Sequence, residues 1–175
     1  MRDHSIQPGE PEAGLPVKVV VVQNRSEQKS KLHDLIECCA YELYEARGAD
    51  QGHAVEDWRN AELKVLCAEG QCPLGYIEQD NEVDVDAGVE DFKAEELEVC
   101  VGPGTVSVSG CHNRLKCDDC GDSVAEPHPI FGSLDLPVEV DASKVTATLK
   151  AGMLHVVLPK AHGDKEAMKR HPSAA

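Results

Sequence analysis

Apolar positions repeat with a helical period in the first half of the chain and with a period of two in the second. Leu32, Leu35, Ile36, Cys39, Ala40, Leu43 and Ala46 fall at i, i+3, i+4, i+7 and i+8, which draws one apolar stripe down a helix. Gly48 is placed to cap its C-terminus. After the polar turn 49–52, Ala54, Val55, Trp58, Ala61, Val65 and Leu66 mark a second helix, so the pair is predicted to form an αα-hairpin. Gly70 to Gly75 breaks the pattern. Beyond it Val83, Val85, Ala87 and Val89 alternate with polar residues, as do Leu97, Val99 and Val101, then Val106 and Val108. Further strands are predicted at 130–136, 138–140, 145–149 and 154–158, with turn chemistry at Gly102-Pro103-Gly104 and Ala151-Gly152. About seven short strands without intervening helices predict an antiparallel sandwich. The fold class is therefore α+β: an N-terminal αα-hairpin followed by an immunoglobulin-like antiparallel β-sandwich.

The chain divides accordingly into a flexible leader over 1–29, the hairpin over 30–69, a linker over 70–76, the sandwich over 77–161 and a flexible tail over 162–175. Within the leader, Val17-Lys18-Val19-Val20-Val21-Val22 interrupts Pro- and Gly-rich sequence. Five β-branched residues in six suit a short strand, or a segment that adds to a sheet edge.

Charge narrows the partners. The 175 residues carry a formal net charge of −15, so a nucleic-acid backbone or an anionic membrane is repelled rather than attracted. Aromatics at 3% leave few rings for stacking on bases. No basic segment followed by an apolar one opens the chain, and Val19–Val22 is too short to span a bilayer, so a cytoplasmic location is expected. The acidic stretch from Glu78 to Glu98 reads as a solvated strand face that discourages edge pairing. No Asp-x-Asp-x-Asp-Gly loop accompanies Asp84 and Asp86 to make a calcium site.

Eight cysteines without an export signal read as thiols or metal ligands rather than a disulfide frame. Cys111, His112, Cys117 and Cys120 are candidate zinc ligands, and Cys117-Asp118-Asp119-Cys120-Gly121 has half of a zinc-knuckle spacing. On a strand, however, Cys111 and His112 point to opposite faces. A reversible thiol switch and plain thiols are the other readings of this cluster. Cys38, Cys39 and Cys100 are expected as buried small residues. No phosphate-binding loop, nucleophile elbow or His-Glu-x-x-His is present. No enzyme activity, no catalytic residue and no cofactor other than the candidate zinc are expected.

Asp91-Phe92-Lys93-Ala94-Glu95-Glu96-Leu97-Glu98-Val99, then Gly104-Thr105-Val106-Ser107-Val108-Ser109-Gly110, then Leu136-Pro137, then Ala147-Thr148-Leu149-Lys150-Ala151-Gly152-Met153-Leu154-His155-Val156-Val157-Leu158-Pro159-Lys160 occur in that order. Together they resemble the α-crystallin domain of small heat-shock proteins, with Phe92, Leu97, Gly110, Leu136, Pro137, Ala147, Gly152, Leu154 and Pro159 as the signature positions. Ala147 is expected where sheets press together, Leu154 inside the sandwich, and Pro159 at the close of an edge strand. Ala151 stands where that family prefers Asn or Asp before the turn glycine. The arginine usual before Leu-Pro is absent, and a Cys- and Asp-rich segment from Cys111 to Pro129 replaces the dimerisation loop. Residues 32 to 69 are similar to a bacterial helical hairpin of unknown function, through Tyr41, Tyr44, Gly48, Gly52-His53-Ala54 and Trp58. Tyr44 and Trp58 are expected in the hairpin core, and His53 at a helix start.

The resemblance implies an ATP-independent chaperone that holds unfolding client proteins on exposed sandwich edges and assembles as a homodimer or larger homo-oligomer. The edges around Leu97, Val99 and Val101 and around Val145, Ala147 and Leu149 are the candidate groove. In the family such a groove often receives an Ile-x-Ile segment from a neighbour's tail, and residues 161–175 contain none. Val19-x-Val21 and Val20-x-Val22 have the spacing to fill it instead, in cis or from another chain. The second reading is a non-catalytic adaptor whose sandwich and hairpin bind one defined partner.

Overall fold

The computed structural model describes residues 14–67, 70–117, 121 and 123–161. Its elements are β1 (Leu15–Pro16), β2 (Lys18–Val21), α1 (Arg25–Ala46), α2 (Ala54–Leu66), β3 (Leu74–Glu78), β4 (Glu82–Gly88), β5 (Leu97–Gly102), β6 (Thr105–Cys117), β7 (Ser123–Asp135), β8 (Thr146–Lys150) and β9 (Met153–Pro159). The strands form two sheets, ordered β1-β8-β9-β4-β3 and β2-β5-β6-β7. The core between them is almost wholly aliphatic: Val83, Val85, Val99, Val101, Val106, Val108, Leu154, Val156 and Leu158 are all buried. Alternation on each strand put these residues on one face, so the inward set follows directly from the period of two.

The helical hairpin makes a third layer. α1 starts at an Asn24 cap, whose side chain accepts from the Glu27 backbone N–H at 3.0 Å. It ends where Gly48 adopts φ +88° and Ala49 N–H reaches back to Tyr44 O at 3.0 Å. Leu35, Ile36 and Cys39 of α1 and Ala61 and Val65 of α2 pack with Cys111 and Phe131 on the outer face of the four-stranded sheet. That sheet is therefore covered on both sides. Trp58 and Leu43 join this cluster, whereas Val55 and Leu66, expected on the buried side of α2, are exposed. Asp57 takes that side instead and is held by the Arg47 guanidinium, which compensates a carboxylate the helix interface desolvates.

Several expectations need correction. The leader is ordered from Gly14 into both sheets, and α1 begins at Arg25 rather than 30. The expected linker carries β3, because Leu74 to Glu78 pairs with β4. The segment from Cys111 to Pro129 is no loop: β6 and β7 continue as a two-stranded ribbon from Cys111↔Pro129 to Cys117↔Ser123. Residues 138–140 make only the single bridge Val140↔Lys160, and β9 lies between β8 and β4, so Pro159 ends an interior strand and not an edge. The leader over 1–13 and the tail over 162–175 lie outside the described residues.

The signature residues pack as a unit. A Cβ on Gly110 would sit 2.9 Å from Leu97 Cδ2 and 3.2 Å from Phe92 Cδ1, so only glycine lets both side chains reach the sheet there. Leu136 N–H donates to Gly104 O at 2.9 Å, which fixes Leu136-Pro137 at the β5–β6 end of the sandwich. Ala151 and Gly152 have φ of 49° and 75° and join β8 to β9 in a two-residue turn.

Candidate functional site: a strand-accepting groove closed by the chain's own valines

The two sheets leave neighbouring edges at β5 and β8. Leu97, Val99 and Val101 from one edge and Ala147 and Leu149 from the other are buried, with Val145 half-buried beside them. Residues 15–22 occupy the groove between these edges. Leu15 and Pro16 run antiparallel to β8 in the register Leu15↔Leu149 and Pro16↔Thr148, and Val17 N–H donates to Ala147 O at 2.9 Å. The chain then crosses to the other sheet without reversing, so β2 runs parallel to β5, with Val19↔Val99 and Val21↔Val101. Val22 N–H closes the run on Val101 O at 2.9 Å. A parallel strand pair among antiparallel neighbours is the result, and it departs from the wholly antiparallel expectation.

The side chains that fill the groove are Val17, 6% exposed, and Val19, half-buried against the same core. The spacing is residue-x-residue as expected, but shifted by two: Val21 is 53% exposed, Val20 is half-buried beside Cys100, and Val22 is buried near Gly102. A run of valines has no polar alternation to reveal its face. Lys18 supplies the missing signal, since its ammonium bonds Glu98 at 2.5 Å on the outer face and so turns Val17 and Val19 inward.

Glu98 joins three elements. It also accepts from Lys31 of α1 at 2.9 Å. Burial pushes its carboxyl up, but the hydrogen bonds from Lys18 and Lys31 outweigh that and hold it below the usual glutamate range. The same bond raises the Lys31 ammonium.

The described members of the cysteine cluster, Cys111, His112 and Cys117, are not brought together. Cys111 packs under α1 and α2, where burial pushes its thiol up to about 12. His112 faces the other way, edge-on to Phe92 with centroids 4.4 Å apart. Cys117 is exposed at the ribbon tip, and six strand steps place it about 20 Å from Cys111. Cys120 lies outside the described residues. Among the described residues no group of three or more His, Cys, Asp or Glu is placed to hold a metal ion. Burial likewise lifts Cys39 and Cys100 to about 11, leaving them as protonated packing residues at neutral pH. Cys38, expected to be buried, is exposed.

A two-layered sandwich of this strand order, with a groove between β5 and β8 that accepts an added strand, defines the class. The sequence profile of the Hsp20/alpha crystallin family matches residues 76–172, more than half the chain, and the protein belongs to that family. The profile of a protein of unknown function, DUF2934, matches residues 31–66, which span the hairpin. No curated protein sequence matches the chain. Solved structures similar to it include heat shock protein 16.0 from Schizosaccharomyces pombe, at 20% identity over 58% of this chain and 82% of that one, with a TM-score of 0.45. A small heat-shock protein from Xylella fastidiosa aligns at 17% identity over 62% of this chain and 99% of that one, TM-score 0.46. The rat alpha crystallin domain aligns at 24% identity over 58% and 99%, TM-score 0.41. No helix among the described residues is long and apolar enough to cross a membrane.

Proposed function

We propose that this protein is an ATP-independent holding chaperone whose client groove, between β5 and β8, is closed at rest by its own residues 15–22. One observation carries the reading: an apolar groove with a free strand edge on each side is filled by a short segment of the same chain. That closure is weakest at its β1 end, since β2 is held along β5 and by the Lys18–Glu98 pair. Burial of Val17 contributes roughly 1.5–2 kcal/mol, β1 is only two residues long, and Leu15 at its start is 61% exposed. A competing extended segment of an unfolding protein offers the same backbone bonds and apolar side chains, so exchange needs no nucleotide.

No catalytic group or cofactor enters this mechanism, and the negative charge keeps complexes with clients dispersed in a cytoplasmic setting. A homodimer or larger homo-oligomer would present several grooves to one client. Deleting residues 14–22 tests the reading. The truncated protein is expected to bind more apolar-surface dye and to delay aggregation of a heat-labile protein at lower ratios than wild type. Val17→Asp, which keeps the chain length, should act in the same direction. Unchanged dye binding and unchanged protection in both variants would remove the groove from the mechanism.

A further inference from the structure

The groove is not the one place where the sandwich can accept backbone. β7 is the other edge of the four-stranded sheet, and from Pro127 onward its length is treated in three ways. Near Pro127 and Pro129 the strand is buried, and proline leaves no N–H to be orphaned there. At Phe131, the carbonyl accepts from Cys72 N–H at 2.9 Å. Gly132 permits this approach, since a Cβ on it would lie 2.1 Å from Cys72 O. Beyond that point the edge is open. Because Phe131 O points away from β6, Ser133 and Asp135 turn their N–H and C=O outward as well, and no described residue pairs with them.

Two adjoining clefts flank this open stretch. One, of about 240 Å³, lies between it and Arg25, Gln28, Lys29 and Leu32 of α1. The other, of about 530 Å³, lies between it and Cys72, Pro73 and Leu74. Phe131 and Ser133 line both. The first cleft has an unmet donor: Gln28 Nε2 is buried without a hydrogen-bond partner among the described residues. It is also basic in a chain of net charge −15. Arg25 holds Asp135 in an exposed pair at 3.0 Å, while Lys29 has no carboxylate partner among the described residues.

We infer that the cleft between α1 and the β7 edge at Ser133–Asp135 binds an extended, acidic segment of an unfolded client protein. The segment adds to β7 through the outward N–H and C=O of Ser133, seats an apolar side chain against Leu32 and Phe131, and places a carboxylate by Lys29 and Gln28. A second copy of this chain fits less well, since pairing two such edges about a twofold axis would bring together two copies of the same basic cleft and supply no acidic partner for Lys29. The inference takes from the holding role only the source of the segment.

Fluorescence anisotropy of the full-length protein with a labelled Glu–Val alternating peptide, and with its Lys–Val counterpart, tests the site. The Glu–Val peptide is expected to bind on the order of tenfold more tightly, with the difference shrinking as salt rises. Arg25→Glu with Lys29→Glu, both at exposed positions, should erase that preference. Ser133→Pro should weaken Glu–Val binding by removing an outward N–H without changing charge. Equal binding of the two peptides, or a preference that survives the double charge reversal, would overturn the inference. Aggregation assays on the same preparations separate it from the groove reading: peptide binding without delayed aggregation keeps this site and removes the holding role, and delayed aggregation without peptide preference does the reverse.

Discussion

Ala151 holds φ 49° at the first position of the β8–β9 turn, a region where an L-residue with a plain Cβ is strained by about 1 kcal/mol. Asn tolerates that region better. Ala151→Asn is therefore expected to raise the thermal midpoint by about 2–4 °C without altering the fold, as followed by circular dichroism. Glu98 gives a pH dependence of definite sign. Its folded-state carboxyl is held below the usual range despite burial, so its contribution to stability is present above about pH 4.3 and is lost as pH falls through the lower folded value. Hydrogen-exchange protection factors at Val19 to Val21, each taken against the intrinsic rate at the same pH, should fall in that acid window. In Glu98→Gln they should already be low at neutral pH, because both lysines lose their anion. Wild-type protection factors that stay constant from pH 6 to below pH 4 would mean that Glu98 does not secure the segment.

Elements were legible where their period was unbroken. Both helices and the strands carrying Val83, Val99, Val106, Ala147 and Leu154 stand where alternation or a helical stripe placed them. The misses have physical causes. β3 was hidden because Gly70 to Gly75 punctuates its approach and only Leu74, Tyr76 and Ile77 mark a strand that is exposed on both faces past Leu74. The ribbon from 111 to 129 was hidden by Asp, Gly and Pro, residues that signal turns, and by a largely exposed surface that leaves no apolar alternation; Cys111 at its base packs under the helical hairpin. The register of the groove-filling segment depended on a pairing between Lys18 and Glu98, 80 residues apart, which no local pattern contains. Gly132 marks a contact of the same non-local kind. Gly132→Ala should force the Cys72 carbonyl away from β7 and lower stability by about 1–3 kcal/mol. Gly88→Ala, where a Cβ meets nothing within 4 Å, should leave the denaturant midpoint nearly unchanged.

At the scale of the whole molecule, three layers divide the labour. The helical hairpin seals the outer face of the four-stranded sheet, the sandwich supplies the rigid core, and residues 15–22 bridge the two sheets at the edges where a foreign strand could add. Glu98 ties that bridge to α1. The family and sandwich were readable because their signature is local strand and turn chemistry. The closed state of the groove was not, because closure is a relation between the leader and edges that lie far along the chain. In the proposed holding role, residues 15–22 must leave for the groove to take a client. Pro16 and Thr148 are opposed across β1 and β8 in a pair without direct hydrogen bonds, where Cα atoms stand about 4.5 Å apart, close enough for a disulfide. The most direct measurement is aggregation suppression by Pro16→Cys with Thr148→Cys, oxidised and then reduced, with the crosslink verified by mass spectrometry. Release of the segment as the working step predicts little protection in the oxidised protein and recovery to the wild-type level on reduction; equal protection in both states would contradict it.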